Sequence, residues 1–574
     1  MKKFRKIMAL AIAMVMVLSM SMAVFAANGA ANIHTITITN TDQVGAHTYE
    51  AYQVFAGDYD ESTQKLSNIT WGAGVNGAAI LAAVQADTTT FGAEAATAAT
   101  PADVAALLGT GTDTAKAKKF AEIVGANLGS TVAGTSTATA SPYTISVTGD
   151  GYYFVKDKLN TLPSDSDNAD PHKADSETRY ILQVVHDVTV AAKSKTVESR
   201  KKVQDINDST DTALGSLADT ADYDIGDKIP YTLTFTLPAN YADYKTYAVN
   251  FFDDMSSGLT YNNDAKIYYG ASDTTGAPIS FAADSSKKSA YTTPAYGTVY
   301  KASVADLKKT APDLATGDVV TIKYSVTLGA SAVVGADGNP NKYQVEFSNN
   351  PNGTGTGTTP WDVNIVFTYD IEVDKVTGAG SDKTALAGAA FALYKLYTTE
   401  ALAIANEGRT TALTPATSIK YDNGTKDFTI GDGENWVLVE QKTADTTTSQ
   451  FTFSGVDDGT YLLVETTTPA GYNSIEPSKF TVTATHTDGD TPAFATITGT
   501  QITGDGLAPI TLGTKTKSAT DDTVTGLKTE IVNNEGTVLP STGGIGTTIF
   551  YIIGAILVIG AGVVLVTRRR MSAN

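Results

Sequence analysis

An uncharged apolar run near the carboxyl end limits what this chain can be more than any other feature. It extends from Ile545 to Thr567 and is followed directly by Arg568, Arg569 and Arg570. As a helix rising about 1.5 Å per residue, the run is long enough to cross the hydrocarbon core of a bilayer. Three arginines hold its end in the cytoplasm, as a tail of residues 568–574. The sequence therefore predicts that the residues before the run lie outside the cell.

The amino end has the pattern of a secretory signal peptide. An apolar stretch from Ile7 to Val24 ends in small residues at Ala26 and Ala27. Four cations precede it, namely Lys2, Lys3, Arg5 and Lys6. A basic start, a short apolar stretch and small residues after it are what a signal peptidase recognises. We therefore predict that residues 1–26 are removed and that the mature chain starts near Ala27.

The net charge and the lack of cysteine exclude some partners and some kinds of covalent cross-link. The chain has 61 acidic and 41 basic residues, a formal net charge of −20. Processing removes the four cations of the leader and the three of the tail, which takes the mature chain to about −27. Such a surface repels nucleic acid, so we expect no nucleic-acid partner. The chain has no cysteine, so any covalent stapling of the fold must use other side chains.

Alternation of apolar and polar residues predicts an all-β chain of tandem sandwiches over residues 27–190, 194–359 and 363–536. The first region carries a helical insertion in its alanine-rich part, with a short helix over 101–108 that Pro101 starts. A segment rich in Asn, Gly and Thr, 349–360, has linker composition. The predicted strands are 33–40, 49–55, 143–147, 152–155 and 180–190 in the first region, 231–237, 319–328 and 343–347 in the second, and 365–375, 391–396, 436–440, 461–465 and 480–485 in the third.

The residues just before the apolar run form a recognisable motif, Leu539-Pro540-Ser541-Thr542-Gly543. It resembles the L-P-x-T-G sorting signal of Gram-positive surface proteins, which a membrane-bound sortase cuts between threonine and glycine. Proline keeps the segment extended, and glycine lets an enzyme approach the scissile carbonyl. The resemblance implies that the chain is cut after Thr542 and joined through it to the cell wall, where peptidoglycan is its anchor.

The third region carries a second motif. Tyr461-Leu462-Leu463-Val464-Glu465 is followed by Thr466-Thr467-Thr468-Pro469-Ala470-Gly471-Tyr472, which resembles the E-box of the immunoglobulin-like collagen-adhesin (Cna) B-type domain. In that family a lysine of the first strand and an asparagine of the last form an intramolecular isopeptide bond, assisted by the E-box glutamate. The resemblance implies a bond from Lys375 to Asn533 with Glu465 assisting. Asn534 is an alternative acceptor, but Asn533 shares a strand face with Ile531.

The second region resembles the isopeptide-forming second domain of fimbrial backbone subunits, in which an aspartate replaces the glutamate. Strand alternation favours Lys201 over Lys202 as the nucleophile, and Asp253 over Asp254 as the assisting acid. Asn341 is the expected acceptor, with Asn349 in reserve. The first region has Lys156 where the third has Glu465, so no cross-link is expected there.

A last motif lies between the first and second regions. Val188-Thr189-Val190-Ala191-Ala192-Lys193 resembles the V-x-V-Y-P-K pilin motif of sortase-assembled pili, although two alanines replace tyrosine and proline. The resemblance implies that Lys193 is the polymerisation lysine, with its neighbour Lys195 as the alternative. The five histidines have no metal-ligand spacing, so we expect neither a metal nor a cofactor.

Together these features predict the major shaft subunit of a covalent pilus rather than an enzyme. Expected partners are identical subunits, a class C (pilin) sortase, a housekeeping sortase, minor pilins and peptidoglycan, with a host surface ligand as a further possibility. The rival reading is a monomeric wall-anchored adhesin in which Lys193 is idle. A secreted enzyme is disfavoured because the sequence shows no nucleophile motif, metal cluster or phosphate loop.

Overall fold

The computed structural model describes residues 32–571 except 41–42, 110–113, 163–168, 193–194, 292–296, 407–418, 423–426, 430–433, 518–523 and 537–545. The predicted signal peptide, the sorting signal Leu539 to Gly543 and Lys193 all lie outside the described residues. Over the rest, strands arranged in successive sheets dominate. The predicted all-β class is therefore confirmed.

The first domain packs two sheets face to face. The strands in this part of the chain are β1 (Ile33–Asn40), β2 (Tyr49–Asp60), β3 (Lys65–Trp71), β4 (Gly134–Thr135), β5 (Tyr143–Thr148), β6 (Gly151–Asp157), β7 (Lys173–Asp175), β8 (Arg179–Val184) and β9 (Val188–Ala192), of which β7 pairs with the second domain. One sheet has the order β5-β1-β9 and the other β3-β2-β6-β8, with β4 against β2. Ile36 and Ile38 alternate with less buried residues along β1 and are fully buried between the sheets.

Helices cover the outer face of the second sheet, as the alanine-rich insertion predicted. They are α1 (Gly77–Ala86), α2 (Thr88–Phe91), α3 (Pro101–Leu107) and α4 (Thr114–Gly125), with a 3₁₀ turn over Ala93–Thr97. Thr100 caps α3 in a capping box with Asp103, and Pro101 occupies its first turn. Phe55 of β2 stacks on Phe120 of α4 at a ring-centroid distance of 5.6 Å. The helices thus bury a sheet face that solvent would otherwise contact.

The second domain is a larger sandwich. Its strands are β10 (Thr196–Val203), β11 (Ile206–Asn207), β12 (Thr212–Ala213), β13 (Thr220–Asp222), β14 (Lys228–Thr236), β15 (Val249–Met255), β16 (Leu259–Tyr261), β17 (Lys266–Tyr269), β18 (Ala277–Pro278), β19 (Ala282–Ala283), β20 (Thr298–Val304), β21 (Val319–Leu328), β22 (Asn339–Ser348), β23 (Thr356–Thr358) and β24 (Asp362–Phe367), with a 3₁₀ turn over Tyr241–Asp243 and the short helix α5 (Leu307–Thr310). The sheets have the orders β18-β17-β21-β14-β10-β7 and β13-β24-β22-β15-β20-β19. β7 thus joins the second domain although it precedes β8.

The third domain has a small and a large sheet. Its strands are β25 (Tyr369–Thr377), β26 (Thr384–Ala385), β27 (Ala390–Tyr397), β28 (Ile419–Asp422), β29 (Asp427–Thr429), β30 (Glu434–Lys442), β31 (Gln450–Val456), β32 (Gly459–Thr467), β33 (Ser478–Thr487), β34 (Ala493–Ile502), β35 (Gly513–Thr516) and β36 (Gly526–Val532), with a 3₁₀ turn over Gly380–Asp382 and the helix α6 (Glu400–Asn406). The small sheet is β26-β25-β31 with β36 against β25, and the large one is β29-β28-β30-β27-β32-β33-β34-β35.

Two long predicted strands are each divided in the structure. The predicted strand 180–190 becomes β8 and β9, because β8 pairs with β6 in one sheet and β9 pairs with β1 in the other. The predicted strand 365–375 is divided at Thr368, since β24 pairs with β22 of the second domain and β25 with strands of the third. The predicted domain boundary at 359–363 therefore has to move to Thr368.

The chain ends in a helix that fits the predicted membrane anchor. α7 spans Gly546–Met571, and its stretch Phe550–Arg569 is long and apolar enough to cross a bilayer. Large aliphatic side chains along it are exposed, as a lipid-facing helix requires.

Candidate functional site

The first candidate site lies where the first and last strands of the third domain run side by side. β25 and β36 are parallel, and Lys375 is the register partner of Ile531, two residues before Asn533. Alternate residues of β25 face the core, so Lys375 points inward on the same face as Val373. Glu465 comes from β32 in the facing sheet. The fold therefore delivers the lysine and the asparagine from one sheet and the acid from the other.

The Glu465 carboxylate connects the other two side chains. Its Oε1 lies 3.5 Å from Nζ of Lys375, and its two oxygens accept hydrogen bonds from Nδ2 of Asn533 at 3.0 and 2.9 Å. Nζ also donates to the carbonyl of Ile531 at 3.2 Å. The hydroxyl of Thr468 donates to Oε2 of Glu465 at 3.0 Å. The structure thus brings the three predicted residues together, and it adds Thr468, whose role the sequence did not indicate.

Burial gives this site its chemical character. The side chains of Lys375 and Glu465 have no exposed area, and Asn533 is 1% exposed. Burial lowers the pKa of Lys375, although the nearby Glu465 opposes the shift. Oδ1 of Asn533 has no hydrogen-bond partner among the described residues. A neutral amine is therefore favoured beside an amide whose oxygen is available, whereas the alternative acceptor Asn534 is exposed.

The second candidate site links the two sheets of the second domain. Lys201 points inward from β10 in one sheet. Asp253 and Asn341 come from β15 and β22 of the other sheet, where Asp253 pairs with Tyr343 and Met255 with Asn341. Two residues separate these register positions, so both side chains share the inward face. Lys201, Asp253 and Asn341 are all fully buried.

A tyrosine that the sequence did not indicate lies at the centre of this site. Nζ of Lys201 is 2.7 Å from Oδ2 of Asp253 and 2.7 Å from the hydroxyl of Tyr324. That hydroxyl donates to Oδ2 of Asp253 at 2.8 Å and accepts from Nδ2 of Asn341 at 3.0 Å. The ring of Tyr231 stacks on Tyr324 with centroids 5.5 Å apart. The two stacked rings therefore lie between the polar cluster and the rest of the apolar core.

The electrostatics of the second site favour the neutral forms of both ionisable partners. Burial lowers the pKa of Lys201, with Asp253 opposing. Burial also raises the pKa of Asp253, with Lys201 opposing. Oδ1 of Asn341 has no hydrogen-bond partner among the described residues. This is the same combination of a buried amine, a buried acid and an available amide oxygen that the third domain holds.

The other residues considered from the sequence in the second domain lie elsewhere. Lys202 is on the outward face of β10 and pairs with Asp219 at 2.6 Å. Asp254 accepts a hydrogen bond from the backbone amide of Ala290 at 2.8 Å. Asn349 lies after β22 and lines a cavity next to the first domain. The geometry thus supports Lys201, Asp253 and Asn341 over these alternatives.

The first domain shows a different arrangement at Lys156. Its Nζ lies 3.4 Å from Oε2 of Glu50 and donates to the backbone carbonyl of Asp157 at 3.0 Å. Lys156 is therefore held by an ordinary ion pair on β6.

The predicted polymerisation lysine, Lys193, lies in the sequence between the last strand of the first domain and the first strand of the second-domain sandwich. β9 ends at Ala192 and β10 begins at Thr196. The amide of Ser176 donates to the carbonyl of Lys195 at 3.0 Å. Lys193, between these points, remains a prediction.

The sequence also gave no indication of a buried charge cluster between the second and third domains. Lys395 of β27 is fully buried, and its Nζ lies 2.7 Å from Asp208 and 2.8 Å from Asp224 of the second domain. It also contacts Asp457 of the third domain. Oxygens of the three aspartates come within 4.8 Å of one another, and the ammonium group occupies the space between them. The inward position of Lys395 in an apolar strand was the only available signal.

Comparisons with known protein families identify two parts of the chain. Residues 369–496 match the prealbumin-like fold domain named SpaA. Residues 531–572 match the LPXTG cell wall anchor motif, which includes the predicted sorting signal and the membrane helix. The first match begins at Tyr369, the first residue of β25, in agreement with the strand pairing.

Relatives extend the similarity over most of the chain. The trypsin-resistant surface T6 protein of Streptococcus pyogenes serotype M6 is 27% identical over 450 residues, which cover 69% of this chain and 72% of that protein. Among solved structures, the T6 backbone pilin of Streptococcus pyogenes has a TM-score of 0.46 at 16% identity, covering 88% of this chain and 99% of the other. The major pilin SpaD of Corynebacterium diphtheriae has a TM-score of 0.43 at 14% identity, covering 88% and 98%.

The anchor motif, the SpaA-type domain and the homology to T6 all point to one class of protein. The chain is an LPXTG-anchored surface protein that resembles the backbone pilins of Gram-positive bacteria.

Proposed function

We propose that this protein is the major shaft subunit of a covalently polymerised pilus on the Gram-positive cell wall. A sortase cleaves after Thr542 and joins this residue to the side chain of Lys193 in the next subunit. The observation that carries the proposal is the pair of buried lysine–acid–asparagine clusters, one in each of two tandem domains, in a chain that ends in a cell-wall anchor. A shaft under tension needs such clusters to become covalent ties, because the chain has no cysteine.

Each cluster is suited to form an isopeptide bond without an external enzyme. The neutral amine of Lys375 attacks the amide carbon of Asn533 while Glu465 carries protons between the groups, and ammonia leaves. Lys201, Asp253 and Asn341 react in the same way in the second domain. Fixed proximity supplies much of the acceleration, since effective molarities in rigid sites reach on the order of 10⁵ M. Each subunit turns over once, so the protein is a sortase substrate and not an enzyme.

The partners follow from the same chemistry. A class C (pilin) sortase polymerises identical subunits, and a housekeeping sortase transfers the finished shaft to peptidoglycan. Minor pilins that carry the same sorting signal can join the shaft, and they offer a place for host-ligand binding.

A gel of cell-wall extracts tests the assembly directly. The parent protein is expected to give a ladder of polymers that resists boiling in detergent, because its subunits are joined by amide bonds. Lys193→Ala is expected to leave a single band, and the matched variant Lys195→Ala is expected to keep the ladder. A single band in the parent contradicts the shaft and favours a monomeric adhesin. A ladder lost only in Lys195→Ala moves the junction to Lys195.

A further inference from the structure

The hydroxyl of Tyr324 contacts every reacting side chain of the second-domain cluster. It lies 2.7 Å from Nζ of Lys201, 2.8 Å from Oδ2 of Asp253 and 3.0 Å from Nδ2 of Asn341. During cross-linking, Nζ of Lys201 has to lose a proton, and Nδ2 of Asn341 has to gain one. The tyrosine hydroxyl therefore lies between the source and the destination of a proton.

In the third-domain cluster, a single carboxyl group lies between the lysine and the amide nitrogen. There the carboxylate of Glu465 accepts both hydrogen bonds of the Asn533 amide nitrogen, at 3.0 and 2.9 Å, and faces Nζ of Lys375 at 3.5 Å. One carboxyl group thus contacts both nitrogens. The acid of the second domain has a shorter side chain, and the amide nitrogen of Asn341 donates to Tyr324. The phenol takes the position that a glutamate oxygen holds in the third domain.

We propose that Tyr324 is a catalytic residue of isopeptide formation in the second domain, relaying a proton from Lys201 to the departing nitrogen of Asn341. This inference rests on the proposed cross-link between those two residues. It assigns to the phenol the proton transfer that Glu465 performs alone in the third domain.

The step balances in atoms and protons. Lys201 first gives one proton to Asp253, and its neutral amine then forms a bond to Cγ of Asn341. As Cγ becomes tetrahedral, Nδ2 changes from a hydrogen-bond donor into an amine with a free electron pair. The hydroxyl of Tyr324 gives its proton to Nδ2 and takes one from Nζ. The C–N bond to Nδ2 breaks, Asp253 returns its proton, and the departing group leaves as ammonium while Tyr324 is again neutral.

Tyr324 is buried among aromatic rings, so its hydroxyl can transfer a proton without competition from water. Tyr324 is 4% exposed. Its ring is stacked on that of Tyr231, and the ring centroids of Tyr261 and Phe281 lie 5.9 and 5.7 Å from its own. Burial and the neighbouring Asp253 hold the pKa of Tyr324 well above its usual range. The phenol therefore stays protonated, and it can pass one proton on only while it accepts another.

Tyr324→Phe tests the relay because it keeps the ring and removes only the hydroxyl. Newly synthesised mature chain is followed by intact mass, and each cross-link lowers the mass by one ammonia, about 17 Da. Tyr324→Phe is expected to lose the third-domain ammonia at the parental rate and the second-domain ammonia about 10²-fold more slowly or not at all. The matched control is Tyr343→Phe, which removes another buried phenol hydroxyl, bonded to the carbonyl of Thr234 at 3.4 Å. This control is expected to cross-link like the parent.

The outcomes separate the relay from the proposed cross-link. If the parent and Tyr324→Phe lose both ammonias equally fast, the relay is wrong and the cross-link stands. If the parent never loses the second-domain ammonia, the proposed cross-link is wrong and the relay with it. Circular dichroism establishes that the variant folds. Should it not fold, synthesis of the parent in heavy water decides: the relay predicts slower second-domain cross-linking than in light water, and an unchanged rate contradicts it.

Discussion

At the scale of single residues, both clusters depend on a lysine buried opposite an acid. Removing Lys375 from water favours its neutral form, and burial has the same effect on Lys201. The hydrogen bonds differ, since Glu465 accepts both bonds of the Asn533 amide nitrogen, whereas the amide nitrogen of Asn341 donates to the hydroxyl of Tyr324, which donates to Asp253. The amino-acid type of the acid thus determines which further residues the chemistry needs.

Glu465→Gln is expected to stop cross-linking in the third domain only. The variant keeps the size of the side chain but cannot carry a proton, so one ammonia, about 17 Da, stays on the protein. The third domain should also lose about 5 kcal/mol of stability, by analogy with a disulfide that closes a loop of this length. Intact mass and calorimetry measure the two effects. Glu440→Gln, which removes a partly exposed partner of Lys442, is the control, and full cross-linking in Glu465→Gln contradicts the assigned role.

His47 predicts a pH dependence of stability where the first domain meets the second. Its Nδ1 lies 2.6 Å from Asp157, and its Nε2 lies 3.2 Å from Asp175 of β7. Burial alone lowers the pKa of His47, but hydrogen bonds to the two aspartates outweigh it and raise the pKa to about 10. A raised folded pKa means that this stabilisation is complete below about pH 6.5 and is lost as pH rises towards 10.

The expected slope for His47 is up to about 1.4 kcal/mol per pH unit between pH 6.5 and 9, measured by urea unfolding. His47→Gln should flatten this dependence. His186→Gln, a change at an exposed histidine that contacts the ring of Tyr59, should leave it unchanged. A parent whose stability is constant over this range contradicts the assignment.

At the scale of elements, the hairpin β33–β34 connects the third domain to the second. Oδ1 of Asp488 accepts hydrogen bonds from the backbone amides of Asp219 and Thr220, both at 3.0 Å. Asp490 on the same turn lies 2.9 Å from Nε2 of His172, just before β7. These contacts and the Lys395 cluster hold the third domain against the second by polar groups, next to an apolar contact in which Phe367 of β24 packs on Phe494 of the third domain.

Lys395→Met is expected to destabilise this junction by about 3–5 kcal/mol. The change removes the ammonium group but leaves Asp208, Asp224 and Asp457 close together and away from water. Calorimetry should show both adjoining domains unfolding at lower temperature. Lys383→Met, which breaks the more exposed pair with Glu530, should change stability by less than about 1 kcal/mol. Equal effects of the two substitutions contradict a structural role for the cluster.

The sequence predicted the elements where local pattern decides the outcome. β1 and β21 have the predicted bounds, because buried and less buried residues alternate throughout β1 and along most of β21. α3 begins at Pro101 as expected. The sequence pattern predicts β24 and β25 as one strand, because no local signal marks the change of sheet at Thr368. The resemblance to the E-box domain indicates Lys375 and Glu465, and the strand face shared with Ile531 indicates Asn533. Tyr324 and Lys395 were missed, since their roles depend on strands far apart in sequence.

At the scale of the whole molecule, the proposed junctions define which domains carry tension. In the proposed shaft, force would enter each subunit at Lys193 and leave at Thr542, and it would pass through the second and third domains. The first domain precedes Lys193 and lies outside this path, which agrees with the absence of a predicted cross-link there. The two proposed bonds, from Lys201 to Asn341 and from Lys375 to Asn533, would let the force bypass most of each sandwich.

Pulling single molecules between positions 193 and 542 tests this path. The parent is expected to extend little, because residues 376–532 are bypassed by the third-domain bond. Lys375→Ala removes that bond and should add one unfolding event of roughly 500 Å, the extended length of the bypassed residues. An equally long event in the parent contradicts the bypass.

The most direct test of the covalent account is the intact mass of the secreted, mature protein. We predict that it lies below the sequence mass by two ammonia molecules, about 34 Da, and that Lys201→Ala and Lys375→Ala each abolish half of this deficit. A mature protein with the full sequence mass contradicts the account, because both buried clusters are then ordinary ion pairs.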